Sequence, residues 1–325
     1  MGSHRIWTLL VMTVCWLATM RGVAQSTSAA KEANSNGRLK LVFITCCVDQ
    51  AFFGPVKQGM RDAAEMLDVD CEFIGTPDVD LAAQANMVRQ AVKDGYDGIA
   101  LNLIDAEAFD DVVSDAIGKG VPVVAFNVDD SESPNARLAS VNQRLYAAGR
   151  KVAEHALEDV PQGAHVLMTK HDEGVSALED RLRGMQDVLK TKGVTWTTVV
   201  TGNQAEKGAD VVAAALREHP DVRIIFSSGQ SDTEATGRAI EKEFANQGYW
   251  SAGFDLSPKT LQLVHDGHIR FTIDQQPYAQ GFYPVVALVL KLRYGIMPSD
   301  VDAGSAIIDR NNVEQVLDWT AEGYR

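Results

Sequence analysis

Two stretches of this chain follow one plan in the same order, and this internal repeat restricts the fold more than any other feature. Each copy holds a strand-like run, a Gly-Met pair 18 residues after the run begins, and two later apolar runs. The matched segments begin at Leu41 and Val166, reach Gly59-Met60 and Gly184-Met185, and continue with 91–102 against 215–228 and 122–127 against 250–255. Three matches in one order predict two domains that share one βαβ plan.

Short apolar, β-branched runs alternate with helical stretches along most of the chain. In the first helical stretch, Val56, Met60, Ala63 and Leu67 recur at the spacing of one helix face. Strands that alternate with helices indicate βαβ units and parallel sheets, so the predicted fold class is α/β. The predicted strands are 39–45, 71–74, 98–103, 122–127, 137–141, 165–169, 196–201, 223–227, 250–254 and 269–273.

The length and the charge limit the domain count and the class of ligand. A chain of 325 residues is long enough for about two domains. Its 44 acidic against 30 basic residues give a net charge of −14, which argues against nucleic acid, because nucleic-acid binding depends on Lys and Arg at the phosphates.

The N-terminus predicts export. Two basic residues and an apolar run of 15 residues, Ile6–Met20, precede a small-residue cleavage motif ending at Ala24. This is the layout of a cleaved signal peptide over residues 1–24, since a membrane-spanning helix needs about 20 apolar residues. Cys15 makes a lipoprotein the lesser alternative. Cleavage would remove two arginines and change the net charge from −14 to −16. Residues 25–38 are predicted to be a disordered linker.

Three cysteines remain after the leader, and their spacing matches no zinc motif. Cys46 and Cys47 are adjacent and can bridge each other only through a strained ring, so buried free thiols are favoured. A disulfide from Cys71 to Cys46 or Cys47 stays open, because an exported protein experiences oxidising conditions.

In an open parallel sheet, ligands bind beyond the carboxyl ends of the strands, and two facing domains would bring those ends together across a cleft. The residues that follow the predicted strands are mostly amides and acids with one aromatic pair. Such side chains suit a polyhydroxylated ligand, because amides and carboxylates pair with hydroxyl groups while phenyl rings cover C–H faces. The candidates are Gln50, Phe52, Phe53, Asn102, Asp105, Asn127, 171–179, Gln230, Asp232, Asp255, Gln275 and Gln276.

The segments AFFGPVKQGM, GYDGIALN, GVPVVAFNVDD, REHPDVRIIFSS, AGFD and FTIDQQP, taken together, resemble the periplasmic sugar-binding proteins of ribose-binding type, the soluble receptors of ABC importers. The resemblance runs from about residue 39 to the C-terminus. It implies two Rossmann-like lobes with parallel sheets, joined by a three-crossing hinge. It also implies a monomer that binds a monosaccharide or polyol between the lobes and presents it to a membrane permease.

The resemblance also assigns roles to single residues. It implies that Phe52 and Phe53 stack on the sugar beside Gln50, that Asp255 bonds its hydroxyls and that Gln275 lies at the hinge. Asn127 stands where ribose-type proteins have Asp-Arg, and Val128 follows it. Glu179 stands where the family often places an arginine, with Arg181 two residues on, while Gln230, Ser231 and Asp232 are alternatives for one further polar contact. These departures argue against ribose itself and leave a different sugar or polyol, or a cationic solute, open.

The resemblance places the crossings near Asn142, Gln275 and Ala303. The lobes are therefore expected to comprise 39–142 with 275–302, and 143–274 with 303–325.

Other functions have weaker support in the sequence. No dinucleotide motif follows the first strand, and no P-loop or nucleophile elbow is present, so neither a cofactor nor a metal is expected. The cluster His171-Asp172-Glu173 is expected to be a solvated loop, with a contact to the cleft as the exception. A carbohydrate-modifying enzyme stays open if Glu179 and Asp255 face each other as acid and base. A sugar sensor that presents its closed form to a membrane receptor or kinase is a further alternative. A sugar-responsive repressor would need a DNA-binding helix-turn-helix before the core, where this chain has the signal-like run.

Overall fold

The computed structural model describes residues 37–105, 107–129 and 135–325. The predicted signal peptide of residues 1–24 and the predicted linker up to residue 36 lie outside this range. Among the helices that the structure describes, none is both long and apolar enough to cross a membrane.

Twelve strands and ten α-helices alternate over the described chain. The strands are β1 Lys40–Thr45, β2 Asp70–Gly75, β3 Gly98–Leu101, β4 Val123–Asn127, β5 Ser140–Asn142, β6 His165–Lys170, β7 Thr195–Val200, β8 Ile224–Ser227, β9 Trp250–Phe254, β10 Ile269–Asp274, β11 Val301–Asp302 and β12 Ala306–Asp309. The helices are α1 Phe53–Leu67, α2 Leu81–Lys93, α3 Asp110–Gly118, α4 Leu145–Ala156, α5 Ser176–Leu189, α6 Ala205–Glu218, α7 Gln230–Ala239, α8 Pro258–Asp266, α9 Pro277–Tyr294 and α10 Val313–Ala321.

The strands form two six-stranded sheets with the same internal order. The first runs β11-β5-β4-β3-β1-β2 and the second runs β12-β10-β9-β8-β6-β7. All pairs are parallel except β10 with β12. The α/β class and the two-lobe repeat predicted from the sequence are therefore confirmed. We call each sheet with its covering helices a lobe.

Each sheet is covered on both faces, which explains its nearly continuous apolar strands. In β1, Leu41 and Phe43 pack towards α1 and α9, whereas Val42 and Ile44 pack towards α2 and α3. All four of these side chains have no exposed surface. Burial on both faces removes the polar alternation of a half-exposed strand, as is usual for parallel sheets.

The glycine of each repeated Gly-Met pair marks a close crossing of two helices. A Cβ atom on Gly59 of α1 would lie 2.1 Å from the carbonyl oxygen of Tyr278 in α9. In the second lobe, a Cβ on Gly184 of α5 would lie 2.2 Å from the carbonyl oxygen of Tyr146 in α4. Only glycine permits these backbones to approach so closely. The repeated Gly-Met pair therefore marks a helix-packing position and not a ligand-binding residue.

Two helices pack on the lobe opposite to the strand that precedes them in the chain. α4 follows β5 of the first sheet but packs on α5 of the second lobe, and α9 follows β10 of the second sheet but packs on α1 of the first lobe. The chain then returns from β11 to β12. Within the described residues, the chain therefore passes three times between the lobes, near Gln143, Gln275 and Gly304.

The structure corrects the possible disulfide to Cys71. Cys71 pairs in register with Leu41, five residues before Cys46 on the neighbouring strand. At about 3.3 Å per residue the separation is about 16 Å, far beyond the ~7 Å that a disulfide can span between Cα atoms. Cys46, Cys47 and Cys71 are all free thiols.

Candidate functional site

The carboxyl ends of both sheets meet at one cleft, and several residues at these ends have a left-handed backbone. Asn127 is the last residue of β4, and Cys47, Asp255 and Gln276 come just after β1, β9 and β10. The four residues have φ of 63°, 51°, 70° and 52°. This conformation is costly for residues other than glycine and persists where the surrounding structure imposes it, often at functional sites. Asn127 and Asp255 occupy matched positions of the repeat, so both copies turn the chain in the same way at the cleft.

Nine of the eleven principal sequence candidates line this cleft. They are Gln50, Phe52, Phe53, Asn102, Asn127, Arg181, Gln230, Asp255 and Gln275. Glu179 and Asp232 do not line it. The placement agrees with the strand-end rule, whereas a role of each side chain in ligand binding stays a prediction.

The first lobe contributes an aromatic wall. Phe52 and Phe53 precede and begin α1, and their ring centroids lie 5.3 Å apart in an edge-to-face arrangement. Both rings are buried, and the Phe53 ring also packs against the ring of Phe73 in β2. The wall is thus held rigidly and presents apolar surface to the cleft.

A buried ion pair from the second lobe faces this wall. Arg181 of α5 and Asp255 after β9 lie 3.7 Å apart, from guanidinium nitrogen to carboxylate oxygen, and are 3% and 5% exposed. The guanidinium also stacks on the ring of Phe254 at 4.1 Å and donates to the carbonyl oxygen of Ser228 at 2.9 Å. Burial raises the pKa of Asp255, and the nearby Arg181 opposes that rise. Because an unpaired buried charge is costly, each partner stabilises the ionised form of the other.

Hydrogen bonds connect this ion pair to all three crossings. Arg181 donates from Nε and Nη2 to Oε1 of Gln143, at 3.1 and 2.9 Å, and Gln143 donates from Nε2 to the carbonyl oxygen of Gly304 at 2.9 Å. Asp255 accepts from Nε2 of Gln275 at 2.5 Å. The two charged groups are therefore fixed relative to the hinge itself.

The hinge network continues into the first lobe through Gln280 of α9. Its Nε2 donates to the backbone and side-chain oxygens of Gln275, at 2.8 and 3.1 Å, and its Oε1 accepts from Asn127 at 3.1 Å. Sequence reasoning missed Gln143 and Gln280. Gln143 directly follows the predicted crossing at Asn142, which is the one signal that could have indicated it.

Asn102 and Gln230 line the cleft, and the amide group of each makes at least one hydrogen bond within the protein. Asn102 is 1% exposed, donates to Oγ1 of Thr45 at 2.9 Å and accepts from the backbone of Val128 at 3.2 Å. Gln230 donates to the carbonyl oxygen of Leu256 at 2.6 Å. Asn102 thus ties the ends of the first-lobe strands together and shapes the wall.

The structure distinguishes Arg181 from Glu179. Glu179 points out of the cleft, where its half-exposed carboxylate pairs with Lys170 at 2.5 Å. Residues two apart on a helix lie about 200° apart around its axis, so only one of the two can face inwards. Arg181 shares its face with the buried Leu178 and Met185, and that spacing was a signal in the sequence.

Asp232 lies beneath the cleft floor rather than on it. Its side chain is fully buried, and Oδ2 accepts from Oγ1 of Thr169 at 3.0 Å and from the backbone of Ser228 at 2.8 Å. Burial raises its pKa to about 7, while the hydrogen bonds from Ser228 and Thr169 oppose that rise.

Within the loop at 171–173, His171 is the exception to the expected solvation, because it lines the cleft. Burial lowers the pKa of His171 to about 4, so the ring is neutral near pH 7. Its Nδ1 atom is buried without a hydrogen-bond partner in the structure. Hydrophobic periodicity alone could not reveal this placement, because it depends on how the second lobe meets the first.

The two lobes touch directly across the cleft. Nε2 of Gln50 donates to Oδ1 of Asn203 at 2.9 Å, and the backbone of Ser176 donates to the carbonyl oxygen of Ile104 at 3.4 Å. The cleft cavity has a volume of about 70 Å³.

Within the described parts of the chain, no group of three or more His, Cys, Asp and Glu side chains is arranged to hold a metal ion. The polar and aromatic groups that line the cleft are the aromatic wall, the buried ion pair, several amides, His171 and the two cysteines Cys46 and Cys47.

Comparison with known proteins agrees with this architecture. Residues 41–295 match the family described as Periplasmic binding protein domain. The xylose/arabinose-binding protein XylF of Sulfolobus acidocaldarius is 33% identical over 293 residues, which cover 86% of this chain and 73% of that protein. The ribose import binding protein RbsB of Bacillus subtilis is 24% identical, over 84% of this chain and 87% of its own length.

Among solved structures, a carbohydrate transporter from Acidothermus cellulolyticus 11B in complex with myo-inositol is similar throughout. The TM-score is 0.80 at 25% identity, and the match covers 89% of this chain and 100% of the other.

Proposed function

Because the chain belongs to the periplasmic binding protein family, we propose that it is an exported receptor that captures a monosaccharide or polyol between its lobes and delivers it to an ABC importer. The observation that carries the proposal is the composition of the cleft. A rigid phenyl wall faces a buried guanidinium–carboxylate pair, and a sugar ring offers both an apolar face and vicinal hydroxyls.

The arrangement of the ion pair favours a neutral, hydroxyl-rich ligand. Arg181 donates and Asp255 accepts, so together they can satisfy both functions of neighbouring hydroxyl groups. The cationic solute that the sequence left open has less support, since Glu179 lies outside the cleft and Arg181 within it. Relatives that bind xylose or arabinose, ribose and fructose by name, together with the myo-inositol complex, define the ligands to test first.

Binding would proceed by closure about the hinge. The proposed lobes comprise 39–142 with 275–302, and 143–274 with 303–325, in keeping with the strands that each sheet contains. A ligand that contacts Phe52 in one lobe and Asp255 in the other stabilises the closed state over the open one, because only the closed state offers both contacts. The closed monomer would then be the form that the permease recognises.

The same geometry opposes an enzymatic role. Hydrolysis of a glycoside needs a general acid and a base on opposite sides of the bond, and Glu179, the partner that such a mechanism would require for Asp255, faces away from the cleft. We therefore propose a binding protein that releases its ligand unchanged, exported by cleavage after residue 24.

A thermal-shift screen tests the proposal. The purified protein is heated with D-xylose, L-arabinose, D-ribose, D-fructose and myo-inositol in turn, and hits are measured by calorimetry. We expect at least one ligand to bind at one site per chain and to raise the midpoint of unfolding. Small-angle scattering should show a more compact particle with ligand, and light scattering should show a monomer.

The control is Phe52→Ala, which removes half of the aromatic wall and should weaken binding of the hit. Continuous chemical turnover of a hit, or binding that Phe52→Ala leaves unchanged, would contradict the proposed receptor and its site.

A further inference from the structure

Two adjacent thiols form part of the cleft wall. Cys46 and Cys47 follow β1, line the cleft beside the aromatic wall and are 5% and 7% exposed. They pack within the apolar cluster that spans the cleft, which includes Leu145 and Leu178 of the second lobe. A change at this pair therefore alters a surface that faces both the ligand space and the opposite lobe.

The backbone around the pair is held on both sides. The carbonyl oxygen of Cys46 accepts from Oγ1 of Thr45 at 3.0 Å, and that of Cys47 accepts from the backbone of Gln50 at 3.0 Å. The backbone of Val48 donates to the carbonyl oxygen of Thr76 at 3.0 Å. Cys47 has a φ of 51°, a left-handed conformation that is costly for a residue other than glycine and that the surrounding hydrogen bonds maintain.

The pKa values of the two adjacent thiols are shifted in opposite directions. The neighbouring Cys46 thiol lowers the pKa of Cys47, whereas Cys47, together with burial, raises the pKa of Cys46. Cys47 is thus the better thiolate and the natural nucleophile of the pair. Cys71 is too distant to intervene, since it lies about 16 Å along the neighbouring strand.

We propose that Cys46 and Cys47 are an oxidation site, at which a disulfide oxidant such as oxidised glutathione joins them in a vicinal disulfide that forms part of the ligand-binding wall. The effect on ligand affinity rests on the proposed sugar-binding function, whereas the formation of the disulfide does not.

The reaction proceeds by two exchanges. The Cys47 thiolate attacks one sulfur of the oxidant, forms a mixed disulfide and expels the first thiolate. The Cys46 thiol then loses its proton to that thiolate and attacks the Cys47 sulfur, which expels the second thiolate. Two electrons pass from the cysteine pair to the oxidant, which leaves as one thiol and one thiolate; the thiolate takes up from solvent the proton that Cys47 released on ionising. Formation of the mixed disulfide removes the Cys47 thiolate and with it the main cause that raises the pKa of Cys46.

The ring would be strained and therefore easily reduced. Adjacent Cα atoms lie about 3.8 Å apart, below the ~4.4–6.8 Å of ordinary disulfides. Strain of this kind raises the reduction potential, so the pair should respond to moderate changes in thiol concentration. The cleft must open to admit the oxidant, since both sulfurs are buried in the closed conformation.

Oxidation should make this part of the cleft wall more rigid. It removes both S–H groups and locks the sulfurs into a flat apolar ridge beside Phe52. A wall that is already fixed loses less freedom when the ligand binds, so the oxidised protein should bind its sugar more tightly, by about threefold or more.

Peptide mapping tests the disulfide directly. The protein is incubated with oxidised glutathione or with a phosphine reductant, the remaining thiols are alkylated, and the protein is digested with trypsin. Cleavage after Lys40 and Lys57 gives one peptide, 41–57, that contains both cysteines and no other. In the oxidised sample we expect this peptide unalkylated and lighter by two hydrogen atoms.

Variants and calorimetry complete the experiment. Cys71→Ser should keep the mass loss, and Cys46→Ser should abolish it. Calorimetry of both redox forms with the sugar from the screen should show the threefold difference, and Cys47→Ser, which lacks the attacking thiolate, should not respond to the oxidant. Double alkylation of peptide 41–57 after oxidation, or a link to Cys71, overturns the oxidation site. Equal affinity of the two redox forms overturns its role in binding. Failure of every sugar in the screen would instead count against the proposed function, because the mass measurement needs no ligand.

Discussion

Asp255→Asn tests the buried ion pair without changing the shape of the site. The amide oxygen can still accept from Gln275, so the substitution removes the charge that faces Arg181 and little else. Since Arg181 is 3% exposed, its guanidinium would be left in the interior without the carboxylate 3.7 Å away.

The expected cost follows from burial and from the bonds that remain. Removing one partner of a buried pair costs about 3–5 kcal/mol. Two facts reduce that cost: Arg181 keeps its hydrogen bonds to Gln143 and Ser228, and the mutant no longer buries the Asp255 charge, whose desolvation raises the pKa of that group. We therefore expect the free energy of unfolding to fall by about 2–3 kcal/mol, and the melting midpoint by roughly 5–10 °C.

The substitution should also lower the affinity for the ligand, because the ligand loses a charged hydrogen-bond acceptor. A charged acceptor contributes about 1.5–3 kcal/mol to a hydrogen bond, which corresponds to roughly 10- to 150-fold in affinity. Calorimetric titration with the sugar from the screen measures the affinity, and scanning calorimetry with and without ligand measures the stability. Asp221→Asn is the matched control, because it removes one exposed acid from the same lobe. An Asp255→Asn protein with an unchanged midpoint and an affinity within about twofold of wild type would refute this account of the pair.

Three further predictions concern the hinge, the buried acid and the helix crossings. Gln143→Leu removes the acceptor that binds Nε and Nη2 of Arg181, and it should weaken ligand binding at least ~10-fold in titration. The free energy of unfolding should fall by less than the free energy of binding does. Unaltered affinity would show that the hinge network does not position the arginine. Asp232→Asn should raise the free energy of unfolding by about 4 kcal/mol at pH 8 and by almost nothing at pH 4, as measured in urea. The reason is that a folded pKa of about 7 makes ionisation of Asp232 increasingly destabilising as the pH rises from about 4 to 7; a pH-independent difference would be inconsistent with this. Gly184→Ala should destabilise by about 1–3 kcal/mol in the same assay, whereas Gly118→Ala, which meets no atom within 4 Å, should not; equal effects would exclude the proposed close approach.

The local pattern of the sequence predicted the strands well where they are long. The run Trp250–Phe254 matches β9 at both ends, whereas the run predicted at 137–141 begins three residues before β5. β11 and β12 were missed. A strand of two residues has no periodicity, and β11 exists because it pairs with β5, about 160 residues earlier in the chain.

The candidate site divides in the same way. The rule that ligands bind at strand ends located Phe52, Asn127 and Asp255, because strand ends can be recognised locally. Gln143 and Gln280 were missed, since each becomes part of the site only when the crossings come together.

The sequence by itself determined that this chain forms two α/β lobes of one plan. The periodicities of strands and helices, and the repeated Gly-Met pairs, are local features of the sequence. They can be recognised without knowing how distant segments pack. Only the tertiary structure decided that Arg181 rather than Glu179 faces Asp255, that His171 lines the cleft, and that Cys46 lies beside the ligand space and far from Cys71. Each of these depends on the angle at which an element enters the cleft and on which surfaces the hinge brings together, and those distances are set by packing between segments far apart in the chain.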